Sequence, residues 1–159
     1  MLFKYLGAFL LMGSAVFYSL NRLKRERLQR TSIQECIDLL RYIHRNIECF
    51  SKPLPDIICD YESTYLKEHG FFDALQKQNI LSAFESLKPC MPYEAYSVVQ
   101  AYGKSAGKGY KEEELQLCRY TCDTLQKMAE KLNKDSQTHA KMTKTLPFLF
   151  ALSAVLLFW

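Results

Sequence analysis

The chain has 159 residues, 48% of them hydrophobic and 24% charged, with a formal net charge of +4. That length supports one domain with a real core. Its six cysteines form no CxxC pair and no paired spacing with histidine, which argues against a zinc site and against a thioredoxin-like site.

Both ends are apolar, Tyr5 to Leu20 and Leu146 to Trp159, and the stretch between them is charged and amphipathic. At 1.5 Å per residue the first segment covers about 24 Å of a hydrocarbon core of about 30 Å. Adding Met1 to Phe3, with Lys4 snorkelling to the headgroups, brings it close to full thickness. Small residues Gly13, Ser14 and Ala15 also suit a signal-peptide cleavage site. The flanking charge argues for a retained span instead. Only Lys4 precedes the segment, whereas Arg22, Lys24, Arg25, Arg27 and Arg30 follow it against the single acid Glu26. Basic residues stay in the cytoplasm, so the chain leaves the first span inward.

The intervening domain reads as helical throughout. From Ser32, the residues Ile33, Ile37, Leu40, Ile43, Ile47 and Phe50 repeat at three and four and form one helical stripe. No Gly or Pro lies between Ser14 and Ser51, so this helix is expected to continue straight from the first span. A second helix starts at Pro53 or Leu54, with Ser51 as cap, and runs to Gly70. A third, Phe72 to Leu87, buries Phe72, Leu75, Ile80, Ala83, Phe84 and Leu87. Pro89 and Pro92 open a short fourth with Tyr96, Val99 and Tyr102, and the glycine-rich stretch Gly103 to Gly109 follows as an interhelical turn. The last helix carries Leu115, Cys118, Cys122, Leu125, Ala129 and Leu132 at alternating steps of three and four, a heptad seam that turns polar at Ser136, His139 and Thr143.

At the C-terminus, residues 142–159 give about 27 Å of helix, with Lys144 snorkelling and Trp159 at the far interface. Lys131, Lys134, Lys141 and Lys144 crowd its approach and mark the same inner side. The expected fold is all-α: a membrane-anchored helical bundle of about five cytoplasmic helices, with an N-terminal and a short C-terminal transmembrane helix. Its predicted segments are 1–21 (first span), 22–141 (cytoplasmic bundle) and 142–159 (second span). The bundle faces the cytoplasm and both termini lie across the membrane. There the cysteines stay reduced and serve as small apolar core residues.

Few residues suggest chemistry. Gly103-Lys104-Ser105-Ala106-Gly107-Lys108-Gly109 resembles a phosphate loop superficially, but three residues rather than four separate the first glycines and Gly109 replaces the Ser or Thr. His44, His69 and His139 sit on different helices with no acidic neighbour at ligand spacing, and no metal or cofactor is expected. Glu112, Glu113 and Glu114 favour the dipole of the last helix. The basic run Arg22 to Arg30 lacks interleaved aromatics and suits lipid headgroups better than nucleic acid. Among ten tyrosines, Tyr93, Tyr96, Tyr102, Tyr110 and Tyr120 cluster in sequence, fitting either a docking face or core and rim packing.

Certain residues carry a resemblance. The basic-flanked anchor, Pro53-Leu54, Tyr102-Gly103 with a second glycine soon after, Gln116, Leu125, Lys141-Met142 and the apolar tail together resemble the stage III sporulation protein AB family. The likeness covers essentially the whole chain. It departs in the longer stretch from Gly103 to Gln116 and in Pro147 and Ala151, where glycine is usual. The resemblance implies a bacterial protein of the mother-cell membrane around the forespore. It implies a part in the channel complex between the two cells, similar to the inner-membrane platform protein of type II secretion. Such a protein contacts the cytoplasmic ATPase, stage III sporulation protein AA, and other membrane components of the complex. It has no active site and takes no small-molecule substrate. Candidate docking residues are Tyr96, Tyr102, Gly103, Gly107, Gly109 and Gln116. Arg22, Lys24, Arg25, Arg27, Arg30, Lys141 and Lys144 are the membrane-flanking bases. Two alternatives stand beside the adaptor: a structural coiled-coil oligomer without an ATPase partner, and a nucleotide-binding regulator using the Gly103 to Gly109 loop.

Overall fold

The computed structural model describes the backbone of residues 2–50, 52–77 and 79–158 and the side chains of residues 17, 18, 20–50, 52–77 and 79–135. Within them the regular structure is all helical, as the sequence leads one to expect. In order come α1 (Leu2–Cys49), α2 (Leu54–Cys59), α3 (Thr64–Glu68), α4 (Phe71–Lys77), α5 (Ile80–Glu85), a 3-10 turn (Lys88–Cys90), α6 (Tyr93–Ser105) and α7 (Lys111–Phe158). The count of about five cytoplasmic helices is corrected to seven α-helices among the described residues, because two predicted helices break. Ser63 interrupts the second: its hydroxyl oxygen accepts from the Leu66 amide, capping α3 as a new helix. Asn79 interrupts the third in the same way, accepting from Ser82 at the start of α5. The expected cap Ser51 lies outside the described residues, and the N-cap position of α2 is Pro53, with no side-chain cap.

Two compact units divide the chain, Met1–Arg27 with Lys131–Trp159 and Leu28–Glu130. The first draws on the outer parts of α1 and α7, both uninterrupted helices. Its apolar ends, residues 5–20 and 146–159, lie outside the described side chains except for Phe17, Tyr18 and Leu20, which are exposed. Among the described residues no helix is long and apolar enough to cross a membrane.

The second unit holds the core. The α1 stripe is buried at Ile33, Ile37, Leu40, Ile43 and Ile47, widened by Ser32, Cys36 and Leu39. Phe50, predicted to extend it, is 58% exposed, because the helix ends one residue earlier at Cys49. Gly70, at a φ of +71°, ends the α3 segment, a conformation glycine adopts without a Cβ penalty. Phe71 rather than Phe72 then takes the deepest place on α4, and Phe72 and Ile80 are only half-buried. Phe71, Phe84 and Tyr102 form an edge-to-face chain, with centroids 5.2 Å and 5.7 Å apart and planes at 73° and 83°. Gly103 lets α6 approach α5: an added Cβ would meet Phe84 Cδ2 at 3.1 Å and Leu81 Cα at 3.3 Å.

Along α7 the predicted seam is only partly the buried one. Cys118 and Leu125 are buried, but Leu115, Cys122, Ala129 and Leu132 are half-exposed, and Glu114 and Thr121 fill the buried positions between. The helix meets α1 antiparallel, since Arg41 donates to Gln126 Oε1 at 2.9 Å and Lys111 to the Glu48 carbonyl at 3.1 Å. Cys36, Cys90 and Cys118 are buried and Cys122 is intermediate, while Cys49 and Cys59 are exposed, so the core assignment fails for those two. Both end a helix, where the apolar face runs out.

Phe84 is fully buried and packs against Phe71, Tyr102 and the Gly103 backbone, so Phe84→Ala removes contacts on all three sides and leaves a cavity. The substitution is expected to cost about 4 kcal/mol, read as a lower urea midpoint for the full-length protein in detergent micelles.

Candidate functional site

The polar chemistry of the core unit gathers where α6 gives way to α7. α6 closes with the Ala106 amide donating to the Tyr102 carbonyl at 2.8 Å. Gly107 then turns at a φ of +75° and donates its amide to Glu114 Oε2 at 2.9 Å. Tyr110 stands just before the first turn of α7, and Glu113 reaches back to accept from its amide at 3.2 Å, half of a capping box. An added Cβ at Gly109 would collide with Glu113 Oε2 at 2.7 Å, so this glycine makes room for the cap.

Glu114 is 6% exposed, and its second oxygen accepts from the Tyr102 hydroxyl at 3.2 Å. That hydroxyl also lies 3.2 Å from Cys118 Sγ. Its single proton is spent on Glu114, so the thiol donates to the tyrosine oxygen and a chain runs from Cys118 through Tyr102 to Glu114. Burial pushes the Tyr102 phenol well above its ordinary value, with Cys118 and Glu114 adding to the effect. Burial likewise raises the Cys118 thiol to about 12. Both stay protonated at neutral pH, which suits a structural relay and not a nucleophile.

The candidate docking residues are scattered by this geometry. Tyr96 and Tyr102 are buried, with Lys88 Nζ 5.7 Å from the Tyr96 ring centroid. Gly103 is buried inside α6, whereas Gly107, Gly109 and Gln116 are exposed. Of the tyrosine-rich stretch, Tyr93, Tyr110 and Tyr120 face solvent. The Gly103 to Gly109 loop does not form a phosphate cradle: Gly103 is helical, and the Gly107 amide is taken by Glu114. Arg22, Lys24, Arg25 and Arg27 are exposed, Arg22 pairing with Glu26 at 3.1 Å, and Arg30 is half-buried. Lys141, Lys144 and His139 lie outside the described side chains. His69 stacks on Tyr65 at 4.2 Å, and His44 Nδ1 lies 3.9 Å from Glu48 Oε2 one helical turn on, so the expectation that no histidine has an acidic neighbour at such spacing fails for His44. No His, Cys, Asp or Glu group among the described residues is arranged to hold a metal.

Sequence reasoning missed Glu114. It read the first-turn acids as one dipole-favouring group, although Glu114 precedes Cys118 by one helical turn and so shares its buried face.

The described residues therefore define an all-helical domain whose buried polar groups hold one interhelical loop in place. The chain belongs to the stage III sporulation protein AB family, whose model matches residues 4–159. No curated protein and no solved structure matches it.

Replacing Glu114 by Ala leaves the Gly107 amide and the Tyr102 hydroxyl without their acceptor. The expected loss is about 2 kcal/mol, with faster hydrogen exchange at the Gly107 amide. Glu114→Gln keeps one carbonyl oxygen as acceptor and is expected to lose less than half as much in the same denaturation and exchange measurements.

Proposed function

We propose that this protein is a non-enzymatic membrane platform or adaptor of the channel complex between mother cell and forespore, and that its core unit docks the cytoplasmic ATPase of that complex. Membership of the family gives it a role in sporulation. The observation that carries the finer reading is the pairing of apolar ends with basic inner flanks. Phe17, Tyr18 and Leu20 are exposed on α1 and lead directly into Arg22, Lys24, Arg25 and Arg27, also exposed. Apolar surface that a folded protein leaves uncovered marks a membrane or partner contact, and the adjacent bases suit anionic headgroups on the cytoplasmic side.

On this reading residues 1–21 and 142–159 are spans, and residues 22–141 face the mother-cell cytoplasm with both termini across the membrane. Lipid, the ATPase and other membrane components are the partners, and neither nucleic acid nor a small molecule is bound. The coiled-coil oligomer is the weaker alternative, because Cys118 and Leu125 of the heptad seam are already buried within the unit. The nucleotide-binding regulator is weaker still, since the loop amide it needs is taken by Glu114.

Two experiments test the proposal. The full-length protein, purified in detergent, is expected to retain the purified cytoplasmic ATPase on an affinity column; failure of the two to associate removes the adaptor reading. A topology reporter fused after Trp159 is expected to report the side opposite the cytoplasm. A cytoplasmic signal would make the C-terminal segment an interfacial anchor instead of a span.

A further inference from the structure

An open groove of about 640 Å³ lies between α1 and α7 within the core unit, lined by Arg41, His44 and Arg45 on one helix and Arg119, Cys122 and Asp123 on the other. Leu40 and Cys118 lie almost fully buried beneath it, and its accessible apolar surface comes from the half-exposed Tyr61 and Cys122. Its acids and bases are unequally committed. Arg41 is held by Asp38 at 3.5 Å and by Gln126 at 2.9 Å, and Asp38 accepts from Gln34 as well. Arg45 and Arg119 are exposed, and neither makes a hydrogen bond or ion pair among the described residues. Asp123 is the one further acid in the groove, so three arginines stand against two aspartates.

We infer that this groove docks an acidic amphipathic helix supplied by a protein partner. It deepens the adaptor reading and rests on it for the existence of such a partner. The shape favours a helix over a small molecule, because small-molecule sites enclose most of their ligand and this one lies open. Along α1 the lining runs from Asp38 to Arg45, about two helical turns. An incoming helix laid along the groove sets apolar residues on Tyr61 and Cys122, the half-exposed apolar members of its lining, the helix-in-groove mode. Acidic residues flanking that stripe meet Arg45 and Arg119, whose planar guanidinium groups pair with carboxylates through two parallel hydrogen bonds. Asp123 repels an acid placed off register and so fixes the direction in which the partner lies.

The probe is a fluorescein-labelled synthetic helix with Leu and Glu along one face, titrated with the full-length protein in detergent micelles and read by anisotropy. Wild type is expected to bind it, and Arg45→Glu with Arg119→Glu to weaken binding about tenfold or more. A helix with Lys in place of Glu is expected to prefer the charge-reversed protein over wild type. Arg45→Gln with Arg119→Gln, which removes charge without reversing it, gives a smaller loss and guards against a folding artefact. Before any ATPase is added, four outcomes overturn the inference: no binding by wild type, equal binding of the Glu and Lys helices, unchanged binding by the reversed protein, or wild-type self-association that the reversal abolishes. The last would make a second copy the occupant. The purified ATPase separates this inference from the adaptor reading. If the reversed protein binds it as wild type does, the groove assignment falls and the adaptor reading stands. If neither protein binds it, the adaptor reading falls and the synthetic helix alone decides the groove.

Discussion

A buried carboxyl group needs partners, because withdrawing it from water costs several kcal/mol unless hydrogen bonds replace the lost hydration. Glu114 finds them in the Gly107 amide and the Tyr102 hydroxyl, and by doing so joins three elements: the end of α6, the loop after it, and the first turn of α7. The loop's left-handed turn at Gly107, the burial of Tyr102 and the register of Cys118 against it all follow from where that one side chain sits. The same hydroxyl belongs to the ring that meets Phe84 edge-on, so the polar cluster and the aromatic core share a residue and are fixed together. A side chain acting on both levels explains how the unit keeps a defined connection between α6 and α7.

The fold was legible wherever one strong periodicity acted alone. Ile33 to Ile47 reads as a buried stripe and is one, and the absence of Gly and Pro after Ser14 predicts the continuous α1 that the structure has. It was not legible where a polar side chain outcompeted the pattern. Ser63 and Asn79 each satisfy the amide three residues on, which ends one helix and begins another without any glycine or proline to announce it. Helices of five to seven residues are too short for periodicity to separate from their neighbours. Glu114 and Thr121 hid for a related reason: a search for apolar residues at three and four skips the polar members of the same face. Of the candidate site, the glycine positions were visible as a turn. That Tyr96 and Tyr102 lie inside and Tyr93, Tyr110 and Tyr120 outside depends on which side of α6 and α7 meets the core, and tyrosine fits both settings.

The distribution of committed and uncommitted charge separates the inside of the unit from the α1 and α7 surface. The buried and half-buried carboxylates within it are matched: Ser63 donates to Glu35 at 2.7 Å, and Glu114 accepts from the two groups already named, whereas the Ser32 and Tyr65 hydroxyls are buried without a partner among the described residues. On the α1 and α7 surface, Arg45 and Arg119 are matched to nothing among the described residues although an aspartate stands in the same groove. Stability alone does not require two neighbouring guanidinium groups of one sign there, since exposed charges contribute little to folding and like charges repel.

A parallel reasoning applies to the α1 residues before the core stripe. Phe17, Tyr18, Leu20, Leu23 and Leu28 are all exposed, so that stretch gains little from burial within the chain itself. Helical stability in water comes mainly from packing an apolar face, and a helix without such packing is marginal. The Arg22 to Glu26 pair adds only a few tenths of a kcal/mol to such a helix. That exposed apolar stretch is the observation on which the membrane reading proposed above rests. Under that proposal the exposed bases Arg22, Lys24, Arg25 and Arg27, which follow the apolar stretch on the same helix, are the groups that meet anionic headgroups.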